Sequence, residues 1–284
     1  MRESYVPVDG AELLCREVGE GRPVIVIHGG PDFDHTYLLP DMDQLADSYR
    51  LIYYDQRGRG RSRGEVLLED IHIDRYVEDL DRLRAHLRLD TVAILGHSWG
   101  GFVTMHYALR HPERVSHMIL LNTASASNED VERMKEERGR MQAPHRERLD
   151  ALESSAAFLD GDPGAVAEYY RIDFGTTFKR TEDAARLNLT WTREDILKGR
   201  AIEDRLAQGL YWVPGYTIIP ALKNLRTPTL VIHGENDFFP VASSAHIAEA
   251  IPGARLVTLA ESGHFSYIDA PQQVRLAIDA FFRA

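Results

Sequence analysis

Cysteine is almost missing from this chain: Cys15 stands alone. One thiol cannot close an intrachain disulfide, so the fold needs no oxidising compartment. Long apolar runs are missing as well, and no stretch approaches the roughly 20 residues that a membrane-spanning helix requires. The opening residues hold no signal-peptide core, because Glu3, Pro7 and Asp9 break the apolar pattern. Cations are in the minority: 33 Lys and Arg against 44 Asp and Glu leave a formal net charge of -11. That sign disfavours nucleic acid or an anionic membrane as the main partner and reads as a solvated acidic exterior. The expectation is a cytoplasmic protein with no nucleic-acid and no membrane partner. Also missing are a Walker phosphate loop, a G-x-G-x-x-G turn after a strand and a histidine pair at metal-binding spacing. No metal and no organic cofactor is therefore expected.

What is there is an ordinary globular composition, 284 residues with 44% hydrophobic and 27% charged, enough for one large domain or a domain with an insertion. Two strand-like stretches, Tyr5–Val8 and Leu13–Val18, flank Asp9-Gly10, a hairpin signal. Short continuous apolar runs follow at Pro23–Ile27, Leu51–Tyr54, Val92–Leu95, Met118–Leu121, Thr229–Ile232 and Leu256–Leu259. Strands of a parallel sheet, buried on both faces, have this character. Helical stripes lie between them. Val77, Leu80, Leu83 and Leu87 follow Asp74, read as an N-cap, and Val274, Ala277, Ile278 and Phe281 follow Pro271, read as a first-turn residue. Alternation of this kind predicts an open α/β sheet whose ligand site lies at the carboxyl ends of the strands.

One block breaks the alternation. Between Thr123 and Pro220 there is no strand-like run, and helical patterns cover Glu129–Arg140, Arg146–Leu159, Ala165–Arg171 and Arg193–Gln208. The simplest reading is a helical cap over residues 123–220, inserted into a core made of residues 1–122 and 221–284. Most of its aromatic residues are expected to pack the insertion itself, while Trp191 and Trp212 are taken as candidates for substrate contact.

Gly96-His97-Ser98-Trp99-Gly100-Gly101 joins the run Val92–Leu95 to the helical stretch Phe102–Arg110. Strand, tight turn and helix with G-x-S-x-G at the junction expose a serine Oγ at the sheet edge, and the flanking glycines allow the close approach. Ser98 is the expected nucleophile. It needs a base held by a third group, and His264 and Asp237 each stand just past a strand-like run, at the same edge. The order Ser, Asp, His also fits. His97 is expected to point elsewhere on the turn. Asp269 reads as a helix-start residue, and Asn122 occupies the place after the sixth strand where some relatives carry the acid. Two backbone N–H groups are needed for an oxyanion. Trp99 supplies one, and Gly30, in His28-Gly29-Gly30-Pro31, is the candidate for the other. The segment Asp55-Gln56-Arg57-Gly58-Arg59-Gly60-Arg61-Ser62 reads as a structural turn whose Asp55 and Arg57 brace neighbouring loops.

Together the His28 loop, the Asp55–Ser62 segment, the Gly96–Gly101 elbow, the Asp237 segment and Gly263-His264 resemble the α/β-hydrolase superfamily, and within it the proline iminopeptidase branch. The resemblance implies an eight-stranded, mostly parallel sheet flanked by helices, a helical cap, Ser-His-Asp catalysis and release of an N-terminal residue from small peptides. Two departures stand out. Asp32 replaces the glycine usual after His-Gly-Gly-Pro, and the cap glutamates that bind the substrate's free amine in that branch lack their characteristic local sequences. Glu168, Glu182, Glu194, Glu203 and Glu235 are all candidates for that role, with Glu235 carried forward as a substrate-binding residue. Two functions follow: an aminopeptidase acting on short peptides, or a carboxylesterase acting on short or medium acyl esters.

Overall fold

In the computed structural model, which describes residues 1–284, β1 (Arg2–Val8) and β2 (Ala11–Val18) form an antiparallel hairpin closed by Asp9 and Gly10. Gly10 has φ +73°, the left-handed conformation that such a two-residue turn demands. The other strands are β3 (Arg22–Ile27), β4 (Tyr49–Tyr54), β5 (Val92–His97), β6 (Val115–Leu121), β7 (Thr229–Gly234) and β8 (Arg255–Leu259). They make one eight-stranded sheet in the order β1-β2-β4-β3-β5-β6-β7-β8. β2 runs antiparallel to β4, and every pairing from β4 to β8 is parallel. β5 and β7 are buried along their whole length, which is why their sequences are continuous rather than alternating apolar runs.

Eleven α-helices accompany the sheet. α1 (Ile73–His86) and α2 (Trp99–Arg110) precede β6. α3 (Asn128–Gln142), α4 (Arg146–Glu153), α5 (Ala156–Leu159), α6 (Pro163–Gly175), α7 (Arg193–Ala207) and α8 (Ile219–Leu222) lie between β6 and β7. α9 (Val241–Ala250), α10 (Ser266–Asp269) and α11 (Pro271–Arg283) complete the chain. α2 packs on β3, β5 and β6, while α9 packs on β7 and β8. No strand occurs in the block from α3 to α8. Its two ends meet through an isolated bridge between Ser127 and Thr217. No helix is long and apolar enough to cross a membrane.

Three local expectations need correction. Asp74 is not the cap of α1. His72 holds that position, and Asp74 lies inside the first turn, where its carboxylate accepts from Arg110 at 2.9 Å. The helical pattern Arg146–Leu159 is broken at Ser154-Ser155, where Ser155 caps α5 by accepting the Phe158 N–H. Asp269 ends α10 rather than starting a helix, and its carboxylate accepts the Gly263 N–H at 2.9 Å, bracing the turn that carries His264.

The arginines after β4 are braces. Arg57 makes a buried, two-pronged pair with Asp79 of α1 at 2.9 and 2.7 Å. Arg59, 1% exposed, donates to the Phe33, Asp32 and Asp195 carbonyls, and so ties the loop after β4 to the loop after β3 and to α7. Because β3, β5, β7 and β8 are parallel, the loops that follow them gather at one sheet edge.

Candidate active site

Ser98 sits between β5 and α2 with φ +54° and ψ −122°, a backbone state rare for any residue with a side chain. Its surroundings hold the strain in place. The Ser98 N–H donates to the Leu121 carbonyl, and the Ser98 carbonyl accepts from Gly101 and Ala124. A Cβ on Gly100 would strike the Ile27 and His28 carbonyls, so only glycine lets α2 start this close to β3. Trp99 is the first residue of α2, and its N–H has no acceptor within the helix.

His264 follows β8 and is 3% exposed. Its Nδ1 lies 3.0 Å from both carboxylate oxygens of Asp237, which follows β7. A carboxylate only accepts, so Nδ1 carries the proton and Nε2 is left as the basic nitrogen. Asp237 also accepts the Phe239 N–H at 3.0 Å and Asn122 Nδ2 at 2.9 Å. Burial alone would raise its pKa. The charge and hydrogen bond of His264 and the other donors outweigh burial and hold the carboxyl below its usual range.

Ser98, Trp99, Gly30, His264, Asp32 and Glu203 share the wall of one cavity of about 110 Å³. Gly29, beside it, tolerates no side chain: a Cβ there would come within 2.9 Å of Ser98 Cβ and 2.8 Å of Tyr37 Oη. Most of the remaining wall is aromatic. Phe238 lies 4.4 Å from His264 by ring centroids, and Phe174 and Phe265 are 5.0 Å apart beside it. A second chamber of about 290 Å³ adjoins this one, and Asp32, Tyr170, Glu203 and Arg138 line both.

The acidic residues at that junction are distinctive. Tyr170 Oη donates to Asp32 Oδ2 at 2.6 Å. Glu203, on α7, has its pKa pushed up to about 8, first by burial and then by the Asp32 charge. Arg138 is paired with Asp173 of α6.

The proposed substrate contacts divide. Trp212 lines the Ser98 cavity, and Trp191 lines the second chamber with its ring 5.2 Å from Phe33. Glu235 is exposed on the turn after β7 and lines neither cavity, because its backbone N–H is drawn to Leu259 and its side chain faces solvent. Glu203 is the glutamate that reaches the cavity. The replacement of glycine by Asp32 was the sequence signal for this junction. His97 turns its ring away from Ser98, with Nδ1 on Tyr37 and Nε2 on the His264 carbonyl, and its buried ring stands 4.9 Å from that of His264. Asn122, after β6, donates to the Asp237 carboxylate and supplies no acid of its own.

In the cluster with metal-like spacing, Asp34, His35 and Asp55, each side chain already has a hydrogen-bond partner. His35 Nδ1 lies 2.6 Å from Asp55 Oδ1, Asp55 Oδ2 accepts the Arg61 N–H at 2.8 Å, and Asp34 Oδ1 accepts the Thr36 N–H. A larger open groove of about 760 Å³, beside Ser127, Tyr216 and His246, contains none of the residues above.

A model of the family described as alpha/beta hydrolase fold matches residues 22–271. The chain is similar to a proline iminopeptidase of Heyndrickxia coagulans, 25% identical over 295 residues that span 99% of each chain. Among solved structures, the proline iminopeptidase-related protein of Thermus thermophilus superposes with a TM-score of 0.75 at 25% identity, covering 100% of this chain and 98% of the other. An esterase from Rhodococcus sp. ECU1013 superposes with a TM-score of 0.73 at 21% identity, covering 100% and 98%, which is a likeness of fold.

Proposed function

The chain belongs to the alpha/beta-hydrolase family and is a hydrolase, and from that premise we propose that it is a serine aminopeptidase releasing N-terminal residues from small peptides. In this reading Ser98 Oγ attacks the scissile carbonyl while His264 Nε2 takes its proton, with Asp237 holding Nδ1–H throughout. The carbonyl oxygen becomes an oxyanion between the Gly30 and Trp99 N–H groups. Collapse breaks the C–N bond, and the leaving amine receives the proton from His264. Water, deprotonated by the same nitrogen, then attacks the acyl-enzyme, releasing the acid and restoring Ser98. Residues 123–220 act as a cap on the core of residues 1–122 and 221–284.

One observation carries the choice of peptide: the carboxylates of Asp32 and Glu203 stand in the wall of the cavity that holds Ser98. Two carboxyl groups at one junction, one of them raised to about 8 by burial and the neighbouring Asp32 charge, suit a cation. A substrate ammonium that displaces the Glu203 proton meets one carboxylate from the core and one from α7. The test compares kcat/KM for prolyl-p-nitroanilide and p-nitrophenyl butyrate with wild type and Ser98→Ala in parallel. Anilide cleavage that needs Ser98 is the expected result. Ester cleavage alone overturns the peptidase reading.

A carboxylesterase is the second reading, and a specific observation favours it. Asp32 is already engaged by Tyr170, and Glu203 stays protonated at neutral pH, so the cavity offers an acyl group mostly aromatic walls.

A further inference from the structure

Two buried polar side chains beside the site have no part in the steps above. His97 Nε2 lies 2.9 Å from the His264 carbonyl oxygen, and His97 Nδ1 lies 2.6 Å from Tyr37 Oη. Tyr37 Oη also lies 2.7 Å from the Gly29 nitrogen. A carbonyl can only accept, so Nε2 carries the His97 proton. The neutral ring then accepts at Nδ1, Tyr37 donates to it, and the Tyr37 oxygen accepts the Gly29 N–H. Every proton in this chain of bonds has one place.

We propose that Tyr37 and His97 are positioning residues for hydrolysis, forming a proton-ordered strut from Gly29 of the oxyanion loop, past the nucleophile turn, to the main chain of His264. The proposal rests on the Ser98–His264 reading of the site. Its physical basis is that three separate loops, after β3, β5 and β8, must hold their reacting atoms in register, and misplacement by an ångström costs about a hundredfold in rate. The strut spans all three loops through nearly buried side chains: His97 is 1% and Tyr37 5% exposed. Its ends are backbone groups, an N–H beside Gly30 and the carbonyl of His264 itself, so it sets where those residues sit without touching the reacting atoms. Burial, and then the neighbouring His264, lower the His97 pKa to about 3. The ring therefore stays neutral at any working pH, and the order of donors does not reverse.

The experiment measures kcat, KM and melting temperature on p-nitrophenyl butyrate for Tyr37→Phe, His97→Leu, His97→Gln and the Tyr37→Phe/His97→Leu double variant. Inhibition by phenylboronic acid, which forms a tetrahedral adduct on a nucleophilic serine, is read alongside. Tyr37→Phe deletes one oxygen, and leaves Gly29 N–H and His97 Nδ1 without partners. The expected result is a fall in kcat of about ten- to a hundredfold, with KM moved by less than about twofold and boronate affinity weakened by the factor lost from kcat/KM. The double variant should be no slower than the worse single one, since both break the same strut. His97→Gln, which keeps an N–H near the Nε2 position, should recover part of the loss. A single variant that melts earlier but keeps wild-type kcat overturns the proposal, as do losses that multiply in the double variant. Ser98→Ala is assayed in parallel. If it retains activity, the underlying reading of the site fails, and that outcome is separate from a normal kcat in Tyr37→Phe.

Discussion

Asn122 Nδ2 donates to Asp237 Oδ2 at 2.9 Å and to the Gly263 carbonyl at 3.0 Å. A residue at the end of β6, with φ +44°, thereby clamps the carboxylate after β7 to the loop that carries His264. This relationship makes a graded pair of predictions. Asp237→Asn keeps the shape but removes the charge and turns one of the two acceptor oxygens into a donor, which favours the wrong His264 tautomer, and kcat should fall about 10⁴-fold. Asn122→Ala removes one of the Asp237 donors and leaves its bond to His264, so the loss should be nearer tenfold. Steady-state kinetics of the two variants check the order. Equal losses, or a larger one at Asn122, would reassign the acid.

Glu203 predicts a pH dependence in both binding and stability. Its carboxyl is raised to about 8, so it is neutral below that value and charged above it. For a substrate with a free ammonium, KM should therefore fall as pH rises from about 6.5 towards 8, while KM for p-nitrophenyl butyrate stays flat. Glu203→Gln should abolish the slope and raise KM for prolyl-p-nitroanilide alone. The stability sign runs the other way. A folded-state pKa above the unfolded one means that the native state holds the extra proton. The stabilisation is complete below the unfolded value, and is lost as pH climbs to about 8. The melting temperature of Glu203→Gln relative to wild type should thus improve between about pH 5 and 8. A constant difference across that range would show that Glu203 is not held protonated.

The contrast between Asp237 and Glu203 shows how far the sequence could be read. Ser98, Asp237 and His264 were legible because each follows an apolar run, and a parallel sheet brings such ends to one edge. Continuous apolar runs located the six strands β3 to β8, most plainly where double burial shapes β5 and β7, and the Asp9-Gly10 hairpin signal located β1 and β2. Glu203 lies in a helix rich in acids, where only the tertiary placement of α7 over Asp32 singles it out. Glu235 misled for the converse reason: it follows a strand that delivers Asp237 inward, yet the turn itself faces out. That His97 turns from Ser98 was legible, but its partners were not, being Tyr37, distant in the chain, and a main-chain carbonyl that no residue type announces. Asp74 had the chemistry of a cap, but the helix starts before it, at Ile73.

The Arg57–Asp79 pair separates stability from catalysis. Both side chains are nearly inaccessible, at 1% and 3%. Burial pushes the Asp79 pKa up, and Arg57 opposes it. Removing the guanidinium with Arg57→Met leaves a buried carboxylate without its counter-charge, and unfolding free energy should drop by about 3–5 kcal/mol. Asp79 would then bind a proton in the native state, which makes the loss smaller at lower pH. Urea melts at pH 5 and pH 8 measure both effects. The folded fraction should retain near-normal kcat, because the pair touches neither the Ser98 cavity nor its donors. A selective loss of kcat would give Arg57 a role in the site itself.

Gly29 supplies the sharpest steric test. An added Cβ would lie 2.9 Å from Ser98 Cβ and 2.8 Å from Tyr37 Oη, closer than real Cβ contacts come. Gly29→Ala must therefore push the loop after β3 away from the nucleophile or turn Ser98 out of its strained conformation. Either movement draws the Gly30 N–H from the oxyanion position. Losing one such donor costs about 10²–10³ in kcat, and that is the loss expected here, with substrate affinity changed far less. Gly29 and its neighbours His28 and Tyr37 are buried, so the overlap also costs stability, and the melting temperature should fall by several degrees, about what 1–3 kcal/mol produces in a domain of this size. Wild-type kcat in Gly29→Ala would mean that the two loops separate without consequence, and Gly30 would then be no part of the oxyanion site.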